Sequence, residues 1–277
     1  ISDIDQNKIL NVLVGDDTIV DYAELDLSFG QSSNTAPAID PFVIFSKTSS
    51  GTAGTPVGGY IHGLALTDGS YALGFSGSTD WIGTKLQRFS SSGDLDGSAL
   101  VIDNSGQSAK PYLLELTDGS TALAYWEYQS GYRAVELRKI TGENVTNLGV
   151  ISPSTADDYL YPELLDLGNN QMIIAWNFSD NHPQTSTSGR YAQIFDYQGT
   201  GIGSPFPVSS TSYGAWGGKL GLLSETEIVS LWGEGSQISV SKYDLSTKNL
   251  ISTYVVSTSS SGASELVTHN GEIYLAW

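Results

Sequence analysis

Few residues in this chain have the types and spacing that chemistry needs. His62, His182 and His269 are the three histidines, and no two stand at a metal-ligand spacing. There is no cysteine, which excludes a thiol nucleophile, a disulfide framework and a Cys-based metal site. No G-x-S-x-G elbow, P-loop or glycine-rich dinucleotide turn occurs. Carboxylates remain: Asp40, in Ala38-Ile39-Asp40-Pro41, and Glu127, after Trp126, are the pair that glycoside hydrolysis would draw on. Both also read as surface or strand-end residues. The other resource is aromatic. Trp81, Tyr128, Tyr132, Tyr213 and Trp216 fall in connecting segments beside Asp80, Asn181 and His182. Flat apolar faces with fixed polar neighbours are the equipment of a carbohydrate or peptide site, although the same rings could simply cover strand edges. Asp3, Asp5, Asp16 and Asp17 could join a calcium site, but they lack the Gly and Glu of a full binding loop and equally read as exposed turn residues. Asn144-Val145-Thr146 and Asn177-Phe178-Ser179 match the glycosylation pattern, a weak signal in a chain rich in Ser and Thr.

The elements that must position these residues are repeats. A hairpin pattern recurs at His62–Phe75, Tyr112–Trp126, Glu163–Trp176, Lys219–Trp232 and Ser264–Trp277. Each copy has a short apolar run, a turn, and a second apolar run closing on an aromatic. Asp68-Gly69, Asp118-Gly119 and Asn270-Gly271 predict two-residue type I′ turns; Asn169-Asn170 is similar, and Ser224-Glu225 departs from the pattern. The second runs at Tyr71–Phe75, Met172–Trp176, Ile228–Trp232 and Ile273–Trp277 are apolar on both faces, as in strands buried on two sides. A third element follows each complete hairpin, written most fully as Tyr191-Ala192-Gln193-Ile194-Phe195-Asp196, and a fourth at Pro205–Ser209. No segment carries a capped helical period.

The turns recur at a spacing of about 45 to 56 residues, which fits a four-stranded propeller blade. The expected fold is therefore all-β, a β-propeller with blades at about 58–106, 107–156, 157–212 and 213–258. The last hairpin, 262–277, would be completed by N-terminal strands at 20–48, giving five blades with no open edge, after a leader at 1–19. Counting 9–22 as another hairpin gives six. In this scheme the first-to-second-strand turns are short and alike, whereas the second-to-third-strand loops vary. Function on rigid scaffolds concentrates on such variable loops, among them 177–189 with His182.

Composition narrows the partners. A net charge of −18, from 30 acidic against 12 basic residues, repels phosphate backbones and argues against nucleic acid. No apolar run is long enough to span a membrane. Apolar residues make up 39%, enough for a packed core, so disorder is not expected. Low pI, few lysines and no cysteine fit a bacterial extracellular protein. The chain opens at Ile1 without Met and stops inside a strand pattern at Trp277, which reads as a piece of something longer.

The succession Leu113-Leu114-Glu115-Leu116-Thr117-Asp118-Gly119, with Tyr191-Ala192-Gln193-Ile194-Phe195-Asp196 as its later half, resembles the tandem repeats of large bacterial surface proteins of the RTX-adhesin kind. The resemblance covers about residues 20–277. It implies export, attachment and Ca²⁺ binding, but the G-G-x-G-x-D calcium nonapeptides are missing here, and Val208-Ser209 and Val256-Ser257 stand where the family has Asn-Thr. The leading expectation is a non-enzymatic extracellular module that recognises a glycan or a cell-surface protein through its variable loops, joined to other domains or copies of a larger surface protein. The alternatives are a five-bladed glycoside hydrolase and an architectural subunit of a filament or surface layer.

Overall fold

The computed structural model describes residues 60–76, 83–105, 108–129, 132–152, 161–178, 189–209, 215–258 and 265–276. They form strands and no helix. The first blade is β1 (Tyr60–Ala65), β2 (Tyr71–Ser76), β3 (Thr84–Phe89) and β4 (Leu95–Val101); the second is β5 (Ser108–Glu115), β6 (Thr121–Gln129), β7 (Tyr132–Thr141) and β8 (Asn144–Val150). The third is β9 (Glu163–Gly168), β10 (Gln171–Phe178), β11 (Gly189–Asp196) and β12 (Gly201–Pro207). The fourth is β13 (Ala215–Ser224), β14 (Glu227–Glu234), β15 (Gln237–Asp244) and β16 (Leu250–Ser257), and a hairpin of β17 (Glu265–His269) and β18 (Glu272–Ala276) follows. Each of the four sheets runs in simple chain order with every neighbour antiparallel, which is the blade of a β-propeller. The expected completion of a fifth blade by 20–48, and its six-blade rival, fall outside the described residues.

The core lies between blades. Leu113, Leu123, Tyr125 and Ile140 pack on Ala72, Leu86 and Ile102 of the blade before. Ala122, Ala124 and Trp126 pack instead with Met172, Ile174 and Trp176 of the blade after. In β10 the alternation repeats: Ile173 and Ala175 turn the other way, onto Leu220 and Ile228. Val229 and Leu231 continue it toward Leu266. Strand period is two, so a strand between two blades sends successive side chains to different neighbours and must be apolar on both faces. Two of the expected double-sided strands differ. In β2 burial alternates, and β18 is largely exposed, because each belongs to a sheet with a described neighbour on one side only.

Turn chemistry departs from the sequence expectation in one respect. At Thr67-Asp68-Gly69 and Thr117-Asp118-Gly119 only the glycine has positive φ, and the hairpins are three-residue loops closed by Leu66–Ser70 and Leu116–Ser120 backbone hydrogen bonds. Asp68 Oδ1 and Asp118 Oδ1 each accept from the N–H and hydroxyl of the serine two residues on, which holds the aspartate out of the left-handed region. Asn169-Asn170 and Asn270-Gly271 do have both residues at positive φ, as type I′ requires.

The Val-Ser phrase of the fourth strand also acquires a role. Val208 N–H donates to Arg190 O while Arg190 N–H donates to Ser209 Oγ. Ile151 and Ser152 do the same to Val135. The chain leaving each of these outer strands is thus tied to the start of its third strand.

Candidate functional site

The first strands of successive blades lie side by side around the inner wall. Cross-strand pairing gives their equivalent positions: His62 faces Gly74, Tyr112 faces Ala124, Glu163 faces Ala175, Lys219 faces Leu231 and Glu265 faces Ala276. All five inner positions are therefore polar or titratable, although the strands around them are apolar.

Their side chains engage one another. The His62 ring stacks on Tyr112 with centroids 4.0 Å apart, and His62 Nδ1 accepts from Leu113 N–H at 3.2 Å. Tyr112 OH donates to Glu163 Oε1 at 3.4 Å, and the same oxygen accepts from Leu220 N–H at 2.8 Å. Lys219 Nζ pairs with Glu265 at 3.1 Å and approaches the Tyr112 ring centre to 5.8 Å, although a whole blade lies between the strands of Lys219 and Tyr112. Arg190, entering from β11, pairs its Nη2 with Glu163 Oε2, and its Nη1 donates to Asn177 Oδ1 at 3.1 Å. Gly218 leaves the space: a Cβ there would stand 2.8 Å from Arg190 Cδ and 2.7 Å from Leu231 O.

Burial dominates the electrostatics. It pushes His62 down to about 4, helped by the Lys219 charge, so the imidazole is neutral and Nε2 carries its proton. Burial and the nearby Glu163 raise Tyr112, which stays a hydrogen-bond donor. Burial also raises Glu163, opposed by Arg190 and by the Leu220 N–H.

One layer above, at the end where the first strands begin, lies an open cleft of about 170 Å³ lined by Tyr60, Ile61, Lys110, Pro111, Tyr112, Tyr161 and Pro162. Tyr60 and Tyr161 are 45% and 40% exposed, whereas Lys110 between them is only 8% exposed. Lys110 Nζ lies 3.0 Å from the Tyr161 ring centre and 5.0 Å from that of Tyr60. Lys110 occupies a register shift between Ala109 and Tyr112 and has φ of 56°, a conformation a side-chain-bearing residue adopts only under constraint. Burial and the Arg133 charge push its ammonium down to about 8. Arg133 itself lies over the Trp126 ring at 4.8 Å and pairs across the hairpin with Tyr128, which is 40% exposed.

The opposite end is closed by contacts between blades: Thr67 N–H and hydroxyl donate to Glu115, and Tyr197 OH bridges Thr117 and Asp166. Concavity and exposed aromatics thus occur at the end of the variable loops.

Sequence-predicted residues distribute unevenly. Glu127 and Tyr128 lie within β6 and Tyr132 opens β7, so these residues expected in a loop belong to paired strands, where aromatic residues are favoured. Trp216 is a β13 residue rather than part of a connection. Asp40, Asp80, Trp81, Asn181, His182 and Tyr213, with Asp3, Asp5, Asp16 and Asp17, lie outside the described residues. No cluster suited to a metal ion occurs among the described residues. Tyr60, Lys110, Tyr112 and Tyr161 were not singled out by sequence. The usable signal is spacing: Tyr60, Lys110 and Tyr161 each stand two residues before an inner-wall position.

No protein-family model matches this chain, and no curated protein does. Among solved structures it is similar to a protein of unknown function from Dyadobacter fermentans DSM 18053, with TM-score 0.51 and 13% identity over 71% of this chain and 67% of that one. It is also similar to the Hadza microbial sialidase Hz136, with TM-score 0.51 and 10% identity over 66% of this chain and 44% of that one. A triple-mutant AofleA from Arthrobotrys oligospora gives TM-score 0.50 and 12% identity over 78% and 64%. At such identities the likeness is one of fold. The chain spans less than two thirds of the sialidase and of AofleA.

Proposed function

We propose that the chain is a non-enzymatic recognition domain of a larger bacterial surface adhesin, and that it binds a sugar ring in the cleft between Tyr60, Tyr112 and Tyr161. The observation that carries this reading is the cleft itself: tyrosines from three successive blades converge on one open concavity, at the end where the connections vary. A pyranose has an apolar face that stacks on such rings and hydroxyls that meet phenol and backbone groups at the rim. The sialidase among the solved structures of similar fold is compatible with a glycan ligand, by fold analogy alone.

Binding without hydrolysis fits the state of the inner carboxylate. Glu163 is engaged by Arg190 and the Leu220 N–H, so it is committed to holding blades together rather than to proton transfer. Calcium enters the proposal only through the acidic residues of the first segment.

A glycan array probed with the full chain, with Ca²⁺ and then with chelator, tests the reading. Saturable binding that falls about tenfold in Tyr161→Ala is expected, since one stacked aromatic face contributes about 1–1.5 kcal/mol. Silence in both conditions would remove glycan recognition and direct attention to self-assembly. Binding lost only with chelator would place calcium in the recognition step.

A further inference from the structure

Among the described residues the fourth strand of each blade is paired on one side only, so its free edge offers backbone N–H and C=O groups to another strand. Three of these four edges are blunted. β4 carries Asp96 and Gly97, β8 carries Gly149, and β12 carries Gly203, Pro205 and Pro207. Gly97, Gly149 and Gly203 have positive φ and stand at register shifts, which bend an edge away from an incoming strand. β16 lacks these devices: Leu250–Ser257 contains no Gly, no Pro, no charged residue and no positive φ. Its register shifts lie toward its ends and leave Ser252–Val255 paired with β15 without interruption. Leu250, Ile251, Tyr254 and Val255 are 56%, 49%, 65% and 55% exposed. A bare, apolar, uncharged edge of this kind is a site of association.

We propose that β16 seats a second copy of this chain, the two strands pairing antiparallel about a two-fold axis at Thr253. Two observations select that occupant. The first is charge. In a chain of net charge −18 two copies repel wherever their carboxylates meet, yet no acidic residue occurs between Asp244 and Glu265, and Lys248 is the one charged residue there. Copies that meet along β16 bring no carboxylates together. The second is the order of residues in the strand. Directly opposed residues share a face, so a two-fold axis through the sheet opposes positions of equal parity. Centred on Thr253, it sets Ile251 against Val255, Leu250 against Val256, Ser252 against Tyr254 and Thr253 against itself. Apolar residues then meet apolar ones and hydroxyls meet hydroxyls, and such cross-strand pairs are favourable. The pairing consumes both free edges at once, so it closes at two copies. This inference stands independently of the sugar reading. Where both hold, the pair carries two clefts and gains avidity for a surface that bears many ligands.

Sedimentation equilibrium of the full chain over a range of concentrations tests the pairing. A mass that rises toward twice that of one chain, with no larger species, is expected. Ile251→Lys and Val255→Glu each set a charge against an apolar residue of the other copy, so each weakens self-association about tenfold or more. Both side chains are about half exposed, so folding is retained, which far-UV circular dichroism checks. Mixing the two variants opposes lysine to glutamate at one pair and keeps Ile251 against Val255 at the other. A mixed dimer therefore re-forms, and added salt weakens it. A monomer at every concentration would overturn the proposal; β16 amides that nevertheless resist hydrogen exchange would assign the edge to another segment of the same chain. A dimer that both single variants leave intact would place the contact elsewhere, and variants that stay monomeric when mixed would refute the Thr253 register. Open-ended growth would contradict closure at two copies.

Discussion

Arg190→Met is expected to destabilise the protein by about 3–5 kcal/mol, because it strands the Glu163 carboxylate in a site that water does not reach. Both side chains are almost fully buried, so solvent screens little of the effect. Asn177 loses a donor at the same time. The paired change Glu163→Gln with Arg190→Met should lose markedly less than the single change: the neutral amide still accepts from Leu220 N–H and no bare charge remains. Urea unfolding of wild type, both single variants and the double variant measures the coupling. Strictly additive losses would mean that the pair acts as two independent packing groups and not as a coupled ion pair that holds Glu163 against Leu220 of the fourth blade.

The second large effect is a pH dependence set by His62. Its imidazole is held near a pKa of about 4 when folded, against 6.5 in the unfolded chain. Between those values the unfolded state binds the extra proton, so stability rises with pH across that window. The contribution is fully present above about 6.5 and is lost as pH falls toward 4, amounting to about 3 kcal/mol. The cause is local: burial withholds water from the imidazolium, and protonation would put a second cation beside Lys219. In His62→Gln the stability curve from pH 6.5 to 5, above most carboxylate titrations, should be nearly flat. A wild-type curve already flat there would remove His62 from the inner-wall network.

These residues also show how far the sequence could be read. The propeller was legible because each repeat prints its turn and its closing aromatic: Asp68-Gly69, Asp118-Gly119, Trp176 and Trp232 recur at one spacing. The doubly apolar second strands foretold that Met172 and Ile173 would face different blades. The site was less legible. Glu127, Tyr128 and Tyr132 read as part of a variable loop, yet pairing carries β6 to Gln129, since aromatic residues gain more in a ladder than in a coil. His62, Tyr112, Glu163, Lys219 and Glu265 span four residue types, so a comparison of copies by similarity hides them; the hydrogen-bond register equates them. Lys110 was hidden for another reason: positive φ at a lysine cannot be seen before the backbone is.

The central claim is that Tyr60, Tyr112 and Tyr161 form the seat of a sugar. A crystal structure of the full chain with the tightest array ligand tests it most directly. The account predicts a pyranose ring lying against Tyr60 or Tyr161, with its polar substituents toward Lys110 and the Tyr112 edge. A saccharide seated on the outer strands, or at the end closed by Thr67 and Tyr197, would contradict it.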